Sequence, residues 1–391
     1  MIYNFDLPVD RQGTNCVKYD LRKEVFGSDK LIPMWVADMD FLTPPFIIDA
    51  IKERLKHEIL GYTVRRDEYF ETLVSWTERH YGWKIDKEWI LFSPGIVPAV
   101  NICTLAYTKP GDSIIVQPPV YFPFFGAVKD HGRKLLFNRL RETEGRYYFD
   151  FDDLRKKAER GAKMLILSNP HNPVGRAWNK DELAELAEIC LEYNIIIISD
   201  EIHSDLVLPG FKHLPTASLS EKTASLTITC YAPSKTFNLA GLSTSSVVIS
   251  DKELRHKFQK QIDSLHISGG NIFGTEASIA AYSKGEEWLS QLLDYIAKNV
   301  KLVVEKLNSG DLPLRAVIPE ATYMIWLDCR KMKMGGKELN EFFINKAGIG
   351  MNEGSMFGPG GEGYMRMNLA CPTSILEKAL DKIVKAIKNN F

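Results

Sequence analysis

Between residues 89 and 249 the chain alternates two hydrophobic patterns. Short, largely apolar runs, at 89–92, 113–116, 164–167, 195–198, 225–231 and 246–249, are separated by longer stretches in which apolar positions recur at helical spacing. Runs that are apolar throughout mark strands covered on both faces, as in a parallel sheet. The four successive isoleucines at 195–198 are the clearest case. Helices are predicted after the Ser93-Pro94-Gly95 turn, ending near Tyr107, and up to Glu192, where Asn179 and Glu182 have capping-box spacing. Upstream, Pro44-Pro45 opens a helix at 46–57, and a second amphipathic helix covers 69–80.

After about residue 285 the pattern changes (boundaries carry an error of a few residues). A long amphipathic helix at 288–307 leads to a strand at 323–327, a helix at 339–346, a Gly-rich stretch at 348–363, a strand at 364–369 and a last helix at 375–387. Residues 1–30 are polar and read as an irregular arm. The expected fold class is α/β: a large domain, 46–285, with a mostly parallel, helix-flanked sheet. A smaller α+β domain is expected from 1–45 and 286–391.

Composition narrows the function classes. The 391 residues are 45% hydrophobic and 25% charged, with a net charge of -1. No basic excess points to nucleic acid. No apolar run approaches the ~20 residues of a membrane span, and residues 1–6 lack the pattern of a signal peptide. The cysteines are scattered, without paired or metal-ligand spacing, which fits a reducing cytoplasm and no metal. Cys190 and Cys230 lie inside apolar runs and read as core.

Ligands of open parallel sheets bind beyond the carboxyl ends of the strands. Four runs here end in polar loops, at 93–95, 169–175, 200–203 and 234–235, so all four face one crevice. Lys235 follows a buried strand directly; an ammonium that cannot reach water loses proton affinity and becomes a nucleophile and base near neutral pH. Gly95, at a strand-to-helix turn, leaves backbone N–H groups free for an anion. A lysine, an aspartate and an asparagine around a phosphate cradle point to pyridoxal phosphate. Asp38 and Asp40 read as local caps, and His171 as loop filler.

The combination Asn172-Pro173-x-Gly175, Asp200-x-x-His203 and Ser234-Lys235 with Gly241 resembles the fold-type I pyridoxal-phosphate enzymes of the aminotransferase class I/II group. More narrowly, residues 35–41 (WVADMDF), Pro118-Pro119-Val120-Tyr121 and Asp200-Glu201-Ile202-His203-x-Asp205 resemble the MalY/PatB-type cystathionine β-lyases. The resemblance implies that Lys235 carries the cofactor and moves the Cα proton, with Tyr121 stacked on the ring beside it. It implies that Asp200 pairs with the pyridinium N–H, that Asn172 bonds the ring hydroxyl oxygen, and that His203 stands near that oxygen. Gly95, Ile96, Val97 and Ser234 are implied for the phosphate, with Tyr62 reaching the phosphate of a neighbouring subunit in a homodimer. Arg366, Asn172 and the backbone of Ala37 are implied for the substrate carboxylate, a planar fork-to-fork match for arginine. One departure stands out: Ser243 lies where many relatives place a basic residue near the phosphate. The implied activity is β-elimination of L-cystathionine, cysteine S-conjugates or cystine. An aminotransferase on the same fold is the alternative. Some relatives bind a transcriptional regulator, but nothing in this sequence marks a surface for one.

Overall fold

The computed structural model describes residues 2–391. Its centre is a seven-stranded sheet: β1 (Ile90–Ser93), β2 (Ser113–Val116), β3 (Lys134–Phe137), β4 (Met164–Ser168), β5 (Ile196–Asp200), β6 (Thr227–Tyr231) and β7 (Ser245–Val248). The spatial order is β1-β7-β6-β5-β4-β2-β3. Strand β7 runs antiparallel to both neighbours, and every other adjacent pair is parallel. The largely apolar runs have a simple cause. Successive residues point to opposite faces, and both faces are packed: Ile166 and Ile198 join one apolar cluster, Leu165 and Ile197 the other.

The helices that position the site are α1 (Pro45–Leu55), α2 (Asp67–Tyr81), α3 (Ile96–Tyr107), α4 (Lys180–Glu192), α5 (Pro233–Thr236), α6 (Glu286–Asn308) and α7 (Thr373–Lys388). Helix α4 starts with the expected capping box, Asn179 Oδ1 accepting from Glu182 N at 2.9 Å and Glu182 Oε2 from Asn179 N at 3.0 Å. A second, antiparallel sheet contains β8 (Arg315–Val317), β9 (Met324–Asp328), β10 (Asn352–Glu353) and β11 (Tyr364–Asn368), in the order β8-β9-β11-β10. It packs with α6 and α7 in one core. No helix among the described residues is long and apolar enough to cross a membrane.

Two parts depart from the expected pattern. The arm is not irregular: it folds into short helices at Val17–Asp20 and Arg22–Phe26, and buries Phe5, Lys18, Arg22 and Phe26. Arg11 and Lys18 find partners on the segment 35–41, and Arg22 on the Tyr19 and Leu31 carbonyls, which composition alone does not reveal. Pairing of Ile32–Pro33 with Ile349–Gly350 then ties it to the C-terminal part. The stretch 117–163, which carries no clear periodicity, holds edge strand β3, a helix at Phe151–Glu159 and the hairpin Arg141–Thr143/Arg146–Tyr148. Strand β3 is only half-buried, so its apolar signal is diluted.

Candidate active site at the carboxyl edge of the sheet

Because β1, β4, β5 and β6 point the same way, the loops after Ser93, Ser168, Asp200 and Tyr231 converge. They enclose a cavity of about 200 Å³ lined by Gly95, Ile96, Val97, Tyr121, Asn172, Asp200, His203, Ser234 and Lys235, with Ala37 closing one side. Lys235 sits on the single turn of α5, which Pro233 opens at the first helical position, where its missing N–H costs nothing. Its Nζ donates to Ala37 O at 2.7 Å. Burial pulls the ammonium down to about 8; the charge of Asp38 opposes this, Arg366 adds to it, and Asp200 opposes it again.

Asp200, at the end of β5, moves the other way. Burial pushes its carboxyl up to about 7, against the Ile202 N–H and the charge of Lys235; Oδ1 accepts from Ile202 N at 3.1 Å. His203 is buried and neutral, its ring pulled down to about 3 by burial and then by the charges of Lys235 and Arg366. Its Nδ1 has no partner. Tyr121 lines the wall with its ring edge-to-face on Phe124, and burial raises its hydroxyl.

Asn172 links the cavity to Arg366. Arg366, on β11, donates from Nη1 to Asn172 Oδ1 at 3.0 Å, and from Nη2 to Trp35 O at 2.8 Å and Asn352 Oδ1 at 2.7 Å. Burial lowers its guanidinium to about 10, and its Nε is left without a partner. The loop carrying Asn172 needs Gly175: φ is +72°, and a Cβ there would lie 2.6 Å from Pro319 Cβ. Two N–H groups, of Glu320 and Ala321, converge on the Gly175 carbonyl at 2.7 and 3.0 Å.

At the other end of the cavity, the N-terminus of α3 meets the hydroxyl-bearing residues Ser234, Ser243 and Thr244. The position where a basic residue was the common pattern is therefore a serine beside a threonine, and Lys235 is the one cation among the lining residues. Tyr62 lies away from this cavity and is fully exposed.

Two readings are corrected. His171 is no loop filler: it is fully buried, and its Nε2 donates to Pro119 O at 2.8 Å, joining the Asn172 loop to the segment that carries Tyr121. Burial holds it neutral, down to about 4. Asp38 and Asp40 cap nothing; they form ion pairs with Arg11 and Lys18. Other contributors carry no local signature. Tyr323 donates to Ala37 O at 3.1 Å, Asn352 holds Arg366, and Asp205, noted only as part of a motif, anchors α5 from behind.

Residues 29–383 match the family described as aminotransferase class I and II. The chain belongs to that family. It is 44% identical to the cystathionine beta-lyase PatB of Bacillus subtilis over 98% of this chain and all of that protein. It is 29% identical to the protein MalY of Escherichia coli over 99% of both. Among solved structures, cystalysin of Treponema denticola, which contains a pyridoxal 5'-phosphate cofactor, superposes with a TM-score of 0.95 at 38% identity, covering both chains entirely. The pyridoxal-phosphate-bound C–S lyase of Staphylococcus hominis gives 0.91 at 36% identity, over 99% of this chain and 98% of that one.

Proposed function

We propose that this chain is a pyridoxal-phosphate-dependent carbon–sulfur β-lyase. Its substrates are L-cystathionine or related cysteine S-conjugates and cystine, and its products are a thiol, pyruvate and ammonia. The observation that carries this is the meeting of a desolvated Lys235 and a buried Asp200 in one small cavity, with buried Arg366 behind its wall, joined to it through Asn172. The relatives named as cystathionine beta-lyase and C–S lyase support the same reading.

The residues fit the cofactor on the chain's own chemistry. A buried carboxyl raised to about 7 is suited to a cationic ring N–H, which returns it to the ionised form. Asn172 spends its oxygen on Arg366, leaving its amide N–H₂ to donate to the ring hydroxyl oxygen. The unpartnered Nδ1 of His203 is a further polar atom that would be available to the ring hydroxyl, and Tyr121, also on the cavity wall, would supply an aromatic face. The N-terminus of α3 at Gly95, Ile96 and Val97, with the Ser234 hydroxyl, offers donors to a phosphate. When bound, pyridoxal phosphate supplies an aldehyde for amines and a ring that accepts the electron pair released at Cα.

In this scheme Arg366 grips the substrate carboxylate, with the Ala37 backbone beside it, and so turns the Cα–H bond towards Lys235. The lysine amine, whose proton affinity burial lowers to about 8, takes the Cα proton in its unprotonated form. The Cβ–S bond then breaks, and the thiolate leaves and is protonated. The released aminoacrylate adds water and gives pyruvate and ammonia. We also place the chain in a homodimer, with Tyr62 serving the neighbouring subunit's phosphate end. The full exposure of Tyr62 and its neighbour Val64 supports this.

The test is to supply purified holoenzyme with L-cystathionine and no keto acid, and to follow free thiol and pyruvate together. Equal amounts of both, absent in Lys235→Ala, are expected. Amino transfer that appears only when a keto acid is added would replace the lyase with an aminotransferase.

A further inference from the structure

The segment 35–41 crosses the site without regular secondary structure, yet side chains from distant parts of the chain hold its carbonyls. Trp35 O accepts from Arg366 at 2.8 Å, and Val36 O from Asn368 at 2.6 Å. Ala37 O accepts from Lys235 at 2.7 Å and Tyr323 at 3.1 Å. Asp38 O accepts from Asn368 at 2.7 Å, and Met39 O from Asn238 at 3.0 Å and Arg11 at 3.1 Å. Backbone that forms no ladder must satisfy its polar groups in this way or lose about 1–3 kcal/mol for each buried one. Here two of the donors are Lys235 and Arg366, the base and the carboxylate fork of the proposed reaction. Their spacing is therefore tied to two carbonyls of one strap, those of Trp35 and Ala37, with the Val36 carbonyl between them held by Asn368.

The strap is itself held from outside by the N-terminal arm. Arg11 donates to both oxygens of Asp38, at 3.1 and 2.6 Å, and to Asp40 Oδ1 at 2.7 Å. Lys18, only 1% exposed, donates to Asp40 Oδ2 at 2.8 Å, and its carbonyl receives Trp35 Nε1 at 3.0 Å. The two cations and two carboxylates balance, so the cluster tolerates burial while intact. Loss of one member strands a charge. Arg11 binds two carboxylates and a strap carbonyl, and it alone grips Asp38 with both terminal nitrogens of its guanidinium.

We propose that Arg11 is a positioning residue of this enzyme: through Asp38 and Asp40 it holds the strap, and with it the distance between the Lys235 amine and the Arg366 guanidinium. The role in turnover rests on the lyase reading; the role in ordering the strap does not. A mispositioned fork weakens ground and transition states alike, so KM should move more than kcat. Small misplacements cost one to two orders of magnitude.

The experiment compares wild type, Arg11→Met and Arg11→Lys in two ways: steady-state kinetics of the holoenzyme on L-cystathionine, and amide hydrogen exchange of the cofactor-free protein. Expected for Arg11→Met is a KM raised about tenfold with kcat changed by less than about threefold; Arg11→Lys, which keeps the charge but not the two-pronged grip on Asp38, should fall between Arg11→Met and wild type. The Met39 and Asp40 amides, bonded to Asn238 Oδ1 and Ala370 O, should exchange faster while those of β5 and β6 do not change. An unchanged KM, or faster exchange spread across β5 and β6, overturns the proposal. Should Arg11→Met fail to fold, Arg11→Met/Asp38→Asn, which also removes the stranded carboxylate, carries the same comparison. A wild type that makes neither thiol nor pyruvate sinks the lyase reading, and the exchange comparison still decides the strap.

Discussion

Lys235 and Asp200 share one dry crevice, and burial brings their proton affinities to within about a unit of each other, the lysine to about 8 and the carboxyl to about 7. Neither group leaves its ordinary range by itself; desolvation penalises the charged form of each. In the cofactor-free protein, acylation of Lys235, followed by peptide mass spectrometry, should rise with pH to a midpoint near 8, because only the unprotonated amine reacts. Burial sets this midpoint first, and the charges of Asp38, Arg366 and Asp200 adjust it. Asp200→Asn removes a negative charge that favours the ammonium, so its midpoint should fall further. A wild-type midpoint at 10 or above would mean that Lys235 is solvated. The lysine's desolvation was legible from its place after an apolar run. The rise at Asp200 was not, because it requires knowing what closes the crevice above β5.

Helix α5 is a single turn and cannot hold Lys235 by its own hydrogen bonds, since an isolated turn fixes several dihedrals for little return. It is held from behind by Asp205, which accepts from Thr236 Oγ1 at 2.7 Å, from Trp76 Nε1 at 2.8 Å and from the Tyr81 hydroxyl. Asp205→Ala strands these buried donors and should lower unfolding stability by about 3 kcal/mol or more, read from urea titration. A loss below about 1 kcal/mol would show that α5 is secured by other contacts. Strands β4, β5 and β6 were readable because both their faces are buried. Edge strand β3 and the hairpin at 141–148 were not, because half-exposed residues follow no sharp period. The arm was misread as irregular for a different reason: Lys18 and Arg22 look like surface charges until their partners are known.

At the scale of the whole molecule, the exposed segment around Tyr62 bears on assembly. If each subunit lends Tyr62 to the other's site, Lys235→Ala and Tyr62→Ala fail in complementary subunits. Co-refolding the two in equal amounts should return about one quarter of wild-type activity: half of the dimers are mixed, and each of those has one intact site. Activity no greater than the average of the two variants alone would mean that Tyr62 acts within its own chain or not at all.

The sequence by itself determined the buried strands of the sheet and that the loops at their carboxyl ends share one crevice, since a parallel sheet covered on both faces needs largely apolar runs; the strand order and edge strand β3 came from the tertiary structure. The sequence also named the proposed reactive set, Lys235, Asp200, Asn172 and Arg366, through the motifs that carry the resemblance. Only the tertiary structure decided what supports them. Asp38, Asp40, Arg11, Asp205 and His171 act through partners twenty or more residues away in the chain. The meaning of such a side chain is set by its partner, and no local pattern carries the partner's position.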